Sequence, residues 1–202
     1  MKQDWRNFLA DFEKTHPQDV LHIEQELNPK FEPTALILEL ERQGRYPVVH
    51  FHKSIGSTFP VIANTIATRE RLALGIGVNA EDLPTAFAEK IKKALPPVLG
   101  ENPPFMENTL MGEELDLSIL PILTHFPIDA GPYITAGLVV AKDPESGADT
   151  CGYHRMQFQG KNKLSISLHS RQRLWEYHRR AEKMGKNLEA AVVLGVHPAI
   201  SF

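Results

Sequence analysis

Residues 149–164 read DTCGYHRMQFQGKNKL, which sets an aromatic ring, an imidazole and a guanidinium in succession at Tyr153, His154 and Arg155. A strand that only packs a core has no need of so much polar chemistry. A guanidinium on a strand offers two parallel N–H donors, the geometry that suits a carboxylate or a phosphate. Gln172 and Arg173 stand where the next helix should begin, and helix N-termini also favour anions. If the hairpin folds back on that helix start, Arg155, Gln172 and Arg173 converge on one anionic ligand. The bland alternative for Arg155 is a surface ion pair. Upstream, Asp129-Ala130-Gly131-Pro132-Tyr133-Ile134-Thr135-Ala136-Gly137 is a loop entering a strand. Its glycines could admit a ligand or a second backbone, or could mark a plain turn and a bulge.

Two further groups could do chemistry. His50 and His52 lie two apart in a β-like run, so their rings share a face, a spacing that can hold a metal. No third ligand is evident near them in the sequence, and a pair of this kind is commonly polar surface. Cys151 is the single cysteine. It would be a nucleophile only where its surroundings lower its pKa; on an apolar strand a small buried hydrophobe is the simpler expectation.

The elements that must position these groups follow from pattern. Asp4 can cap a helix with Trp5, Phe8, Leu9 and Phe12 on one stripe. Pro33 can open a second helix and Gly44 can end it. Pro47–His52 and Pro60–Asn64 read as strands, Arg69–Leu74 as a helix, and Glu81 or Asp82 to Leu95 as another, with Phe87, Ile91 and Leu95 aligned. The ten residues 95–104 then contain four prolines, which remove donors and favour extended backbone. This is a linker or crossing, and beyond it the pattern turns mostly β. Tyr133–Lys142 is apolar and β-branched, and Asp143-Pro144-Glu145-Ser146-Gly147 is a turn. Thr150–Phe158 and Lys163–Leu168 form a hairpin about Gly160-Lys161-Asn162, Arg171–Met184 a helix ended by Gly185, and Ala190–Gly195 a buried strand by its continuous apolar run. Val196–Phe202 follows that strand directly with no polar tail, so the chain reads as the front part of something longer.

Composition narrows the class. The 202 residues allow one large domain or two small ones, and 42% hydrophobic with 23% charged is ordinary for a globular protein. A net charge of −3 argues against sequence-independent nucleic-acid binding, which needs a basic face. One cysteine forbids an intrachain disulfide and fits a reducing cytoplasm. The charged opening MKQDWRNFLADFEK lacks the apolar core of a signal peptide, and no apolar run approaches the length of a membrane span.

Taken in order, several stretches resemble the UbiD family of carboxy-lyases: Trp5–Leu9, Asp116-Leu117 with Leu120-Pro121, Asp129–Gly137, Lys142–Gly147, Tyr153–Gln157, Gly160–Leu164 and Leu194–Ala199. Each is weak alone, but the joint order and spacing is fairly specific and covers essentially the whole chain. The resemblance implies an α+β fold: an N-terminal α/β domain at residues 1–105, then the first part of a flavin-binding split β-barrel at 106–202. It implies reversible decarboxylation of an aromatic, heteroaromatic or α,β-unsaturated carboxylic acid with prenylated FMN. The partners it implies are a flavin prenyltransferase that supplies the cofactor, a C-terminal portion or subunit that completes the barrel, and further copies in a homo-oligomer.

Matched position by position, Arg155 falls on the family's active-site arginine, which contacts cofactor and substrate carboxylate. Gly152, Tyr153 and His154 fall on the strand that lines the flavin, Thr135 on a flavin-contacting threonine and Gln172 on a flavin-contacting glutamine. The carbonyl of Cys151 falls on a ligand of a monovalent cation such as K⁺. Two positions depart from the pattern. Thr150 stands where the family often has asparagine and Arg173 where it often has histidine, residues that with a later glutamate hold a divalent Mn²⁺ on the flavin phosphate. Arginine has no lone pair to give a cation, so no divalent-metal ligand is assigned here. Instead Arg173 is expected to take the ion's place by binding the phosphate directly. The family's catalytic glutamates fall beyond Phe202, so the isolated chain is expected not to turn over. The alternative reading is a non-catalytic module: a flavin-binding or assembly subunit, or a truncated paralogue, of a multi-subunit carboxylase.

Overall fold

The structure, a computed structural model, describes residues 4–93, 95–101 and 103–201. Asn102 of the proline-rich crossing, Ala94 of the expected fourth helix and Phe202 lie outside that set.

The first half is a small α/β sandwich. Helix α1 (Trp5–Thr15) is capped by the Asp4 carboxylate, which accepts from the backbone N–H of Asn7. Its stripe of Leu9 and Phe12 packs with Val20 and Val48, flanked by Trp5 and Ile62. Those valines belong to β1 (Val20–Leu27) and β2 (Val48–Ser54), which pair in parallel, with α2 (Glu32–Arg42) as the crossover. The sequence pattern does not announce β1. Its charged residues interrupt the apolar alternation, and only pairing with β2 makes it a strand. Strand β3 (Val61–Ala63) closes the sheet antiparallel to β2. Side chains alternate across the sheet, so α1 covers Val20 and Val48 while α2 covers Val49 and Phe51 through Leu40. Phe51 is fully buried there, worth about 1.5–3 kcal/mol of apolar burial.

Helix α3 (Arg69–Gly75) is capped by Thr68. Helix α4 (Leu83–Ile91) is shorter than its sequence stripe suggests: Ile91 and Leu95 are exposed, and of the helix only Leu83 is buried. An apolar stripe fixes a helix face but not whether anything lies against it.

After the proline-rich crossing and three short 3₁₀ turns, the second half is a four-stranded antiparallel sheet. Its strands are β4 (Tyr133–Lys142), β5 (Asp149–Gly160), β6 (Lys163–Ile166) and β7 (Ala190–Val193), in the order β6-β5-β4-β7. Helix α5 (Arg173–Lys183) lies on one face, its Leu174 packed with Val139, Ala141 and Met156. The sheet is half a barrel: among the described residues β6 and β7 each keep one unpaired edge. All four residues of β7 are exposed, which corrects the buried strand expected from the run at 190–195. A continuous apolar run says that both faces want cover, and here neither face has it.

The turn at Asp143–Gly147 anchors α5 to this sheet. Burial alone would push the Asp143 pKa up, but hydrogen bonds from Ser146 and the Glu145 backbone, with the Arg180 guanidinium, hold it below the usual range. The halves are stitched together by Phe31 N–H donating to the Thr124 carbonyl at 2.8 Å and by Thr34 Oγ1 against His125 Nδ1 at 2.9 Å. The segment after β7 docks back as well, with Pro198 packed against Gly75 and the His197 ring edge-on to Phe8. Among the described residues no helix is long and apolar enough to cross a membrane.

Candidate active site

Strand β5 and the start of α5 face each other across a cavity of about 480 Å³. It is lined by Thr150, Cys151, Gly152, Tyr153, His154, Gln172 and Arg173, with Val139, Leu174 and Asp149. Seven of the residues singled out in the sequence therefore share one wall. Gln172 is the N-cap residue of α5 and makes no side-chain capping bond, which leaves that end of the helix dipole open towards the cavity.

Charge around the cavity is arranged by what is already paired. Glu176 receives bonds from both Arg179 and Arg180, and these hold its pKa at about 2, well below the ordinary 4.5. Asp149, the acid on the cavity wall, is neutralised by Lys142 Nζ at 2.9 Å. Arg173 has no salt bridge among the described residues. The helix start thus presents a free guanidinium beside uncapped backbone, an arrangement that suits a phosphate.

The remaining residues are distributed by strand alternation. His154 is buried on the α5 side, its Nδ1 3.5 Å from the Ser167 carbonyl. Cys151, Tyr153 and Arg155 alternate to the opposite face and are exposed. This corrects the buried cysteine expected from an apolar strand: α5 covers the other face, and Cys151 is left exposed. It also separates Arg155 from Gln172 and Arg173: Arg155 is not part of the cavity wall, so these three do not converge within this chain. Tyr153 reaches a second hollow of about 350 Å³ that holds Thr135, Trp5 and Ser201, and its hydroxyl lies 2.6 Å from Ser201 Oγ. Ser201 carries no motif that sequence reading could have used.

Of the two loop glycines, Gly137 lies against packed side chains. A Cβ there would lie 2.3 Å from Met156 Cε, and the pairing of β4 with β5 slips between Ile134 and Gly137. This bulge turns Thr135 and Ala136 towards the second hollow. At Gly131 a Cβ would come 3.2 Å from Gln157 Nε2, again a protein contact.

On the other sheet, His50 and His52 do share a face, and a third imidazole joins them. His22 on β1 is in register with His50, a proximity invisible in a sequence where the two are far apart. Burial, then the nearby His52 and His22, push the pKa of His50 below its ordinary 6.5.

Comparison with known proteins places this geometry. Residues 13–91 match the family described as 3-octaprenyl-4-hydroxybenzoate carboxy-lyase N-terminal domain, and 97–202 its Rift-related domain, both of the UbiD group. An anhydromevalonate phosphate decarboxylase of Methanothermobacter thermautotrophicus is 32% identical over 196 residues, which are 96% of this chain and 43% of that protein. The structure of an evolved dimeric form of the UbiD-class enzyme HmfF from Pelotomaculum thermopropionicum in complex with prFMN superposes with a TM-score of 0.89 at 32% identity, covering 98% of this chain and 46% of that one. A 3,4-dihydroxybenzoic acid decarboxylase from Enterobacter cloacae, in its apo form, gives 0.89 at 27% identity, covering 98% and 43%. The chain spans somewhat less than half the length of each.

Proposed function

Because the chain belongs to the UbiD family of carboxy-lyases, we propose that it is the N-terminal part, or a subunit, of an enzyme that reversibly decarboxylates an aromatic, heteroaromatic or α,β-unsaturated carboxylic acid with prenylated FMN. The domain division we propose is 1–105 for the α/β unit and 106–202 for the half-barrel. The observation that carries the reading is the shared wall of Thr150–His154 with Gln172 and Arg173 at the uncapped start of α5. That donor set fits a flavin phosphate: a free guanidinium, an open helix N-terminus and a wall acid already neutralised.

Prenylated FMN, when bound, supplies the electron sink that lets carbon dioxide leave. The chain's own contribution is position and charge. Arg173 holds the phosphate in place of a divalent ion, with Gln172 and Thr150 beside it. The Cys151 carbonyl is a ligand for a monovalent cation, and Gly152, Tyr153 and His154 line the flavin. Thr135 contacts the flavin from the second hollow. Arg155, two residues beyond Tyr153 on the same face of β5, stands where it can orient the substrate carboxylate once the rest of the barrel is in place. The family's proton-transferring glutamate comes from the portion that completes the barrel, so this chain alone does not turn over.

A second reading, a flavin-binding or assembly subunit without its own chemistry, draws on the open edges of β6 and β7 and on the exposed Ile166, Val192, Val193 and Leu194. The deciding experiment titrates the chain with prenylated FMN, with and without Mn²⁺, and repeats it with Arg155→Ala and Arg173→Ala. Metal-independent binding that Arg173→Ala weakens by at least 10-fold, the loss of one charge-assisted bond of about 1.5–3 kcal/mol, supports the flavin half-site. Binding that requires Mn²⁺ and ignores Arg173 overturns the phosphate role. Turnover by the chain alone would overturn the need for a completing portion.

A further inference from the structure

The three imidazoles of the N-terminal sheet are not among the residues assigned to the flavin; they share the face of β1 and β2 that α1 covers. Their ligand atoms are all within 4.8 Å of one another. His22 Nδ1 is 2.8 Å from His52 Nε2, and the His50 and His52 rings stack with centroids 3.9 Å apart. In a tetrahedral zinc site, with Zn–N bonds of about 2.0–2.1 Å, neighbouring nitrogens stand about 3.3 Å apart. The pair already in contact needs to open by only about half an ångström to admit an ion.

The surroundings are also those of a metal site. His22 turns its other nitrogen, Nε2, to Glu13 Oε1 at 2.7 Å. Metal-bound histidines characteristically donate their second N–H to a carboxylate, which fixes the tautomer and leaves the lone pair on the other nitrogen. Glu24 Oε1 lies 3.4 Å from His52 Nε2, so a carboxylate stands beside the ligand atoms on the open side. A surface that is merely polar does not require three rings on one face of two strands with an acid at each outward edge.

We propose that His22, His50 and His52 bind a divalent transition-metal ion, Zn²⁺ being the chemistry that three neutral imidazoles fit best. Glu24 or a water takes the fourth position, and Glu13 orients His22 from behind. Imidazole nitrogen selects this class over Mg²⁺ or Ca²⁺, which take oxygen ligands. The ion would tie β1 to β2 and, through Glu13, tie both to the end of α1, the helix whose Trp5 forms part of the second hollow. Its role would be structural, with no part in the decarboxylation.

The test is calorimetric titration of the tag-free, metal-stripped chain with ZnCl₂ and with MgCl₂, followed by thermal melts. The expected result is one Zn²⁺ per chain, a raised melting temperature and no response to Mg²⁺. His50→Ala and His22→Gln should abolish saturable binding, Glu13→Gln should weaken it about 10- to 100-fold, and His178→Ala on α5 should leave it unchanged. Far-UV circular dichroism checks that each variant is folded. If His50→Ala fails to fold, His52→Ala and Glu13→Gln, on partly exposed side chains, carry the test. Absence of saturable Zn²⁺ binding, or binding that the folded variants leave unaltered, overturns the proposal.

Discussion

Replacing Gly137 by alanine tests whether that glycine serves packing or a ligand. Its backbone is not in the left-handed region, so alanine is conformationally allowed and any effect is steric. The new methyl would lie 2.3 Å from Met156 Cε, 3.1 Å from Val192 Cγ1 and 3.2 Å from Ile134 Cγ2. Met156 is fully buried and enclosed by Val139, Ala141 and Leu174, so its terminal methyl has little room to retreat. Overpacking of this kind costs about 1–3 kcal/mol. At about 2–4 °C per kcal/mol for a chain of this size, the melting temperature should fall by roughly 2–12 °C. The assay is a thermal melt of Gly137→Ala, Met156→Ala and the double variant. Met156→Ala alone should cost about 2–5 kcal/mol. In the double variant the alanine methyl enters space the methionine has left, so the combined loss should be smaller than the sum by about 1 kcal/mol or more. If Gly137→Ala melts within about one degree of the parent and the two changes simply add, close packing is not why glycine stands there.

Four further outcomes follow from other contacts in the structure. The depressed pKa of Glu176 contributes stability that is complete above about pH 4.5 and lost as the pH falls towards about 2; acid unfolding of Glu176→Gln should show a shallower loss across that window. Truncating Phe51 to alanine removes the largest side chain buried between β2 and α2 and should cost about 3–5 kcal/mol in a denaturant titration. Cys151, exposed on β5, should react with iodoacetamide in the native chain; labelling seen only after unfolding would refute that exposure. Gly75→Ala would put a methyl 2.8 Å from Pro198 Cβ and should speed amide exchange at residues 199–201 without changing that of β5.

What could be read from the sequence was local chemistry. Asp4 and the stripe of Trp5, Phe8, Leu9 and Phe12 define α1 because a cap and a 3.6-residue period act within one helix. The hairpin of β5 and β6 follows from its turn residues, and Gln172-Arg173 at the start of α5 from the amphipathic run behind them. The ordered motifs from Asp116 to Leu164 carried the family, and with it the half-barrel. The same local logic explains the misses. Strand β1 has too little alternation to declare itself, and the α4 stripe promised cover that Ile91 and Leu95 do not receive.

Tertiary structure decided the rest, because proximity across strands and cover over a face are not properties of a segment. The register of parallel β1 and β2 brings His22 beside His50 and turns a two-histidine pattern into a three-histidine cluster. The alternation of β5, with α5 on one face, puts His154 inside and leaves Cys151, Tyr153 and Arg155 exposed, which separates Arg155 from the arginine it was expected to join. The apolar run of β7 states a demand for burial, and whether that demand is met depends on neighbours that an individual strand cannot specify.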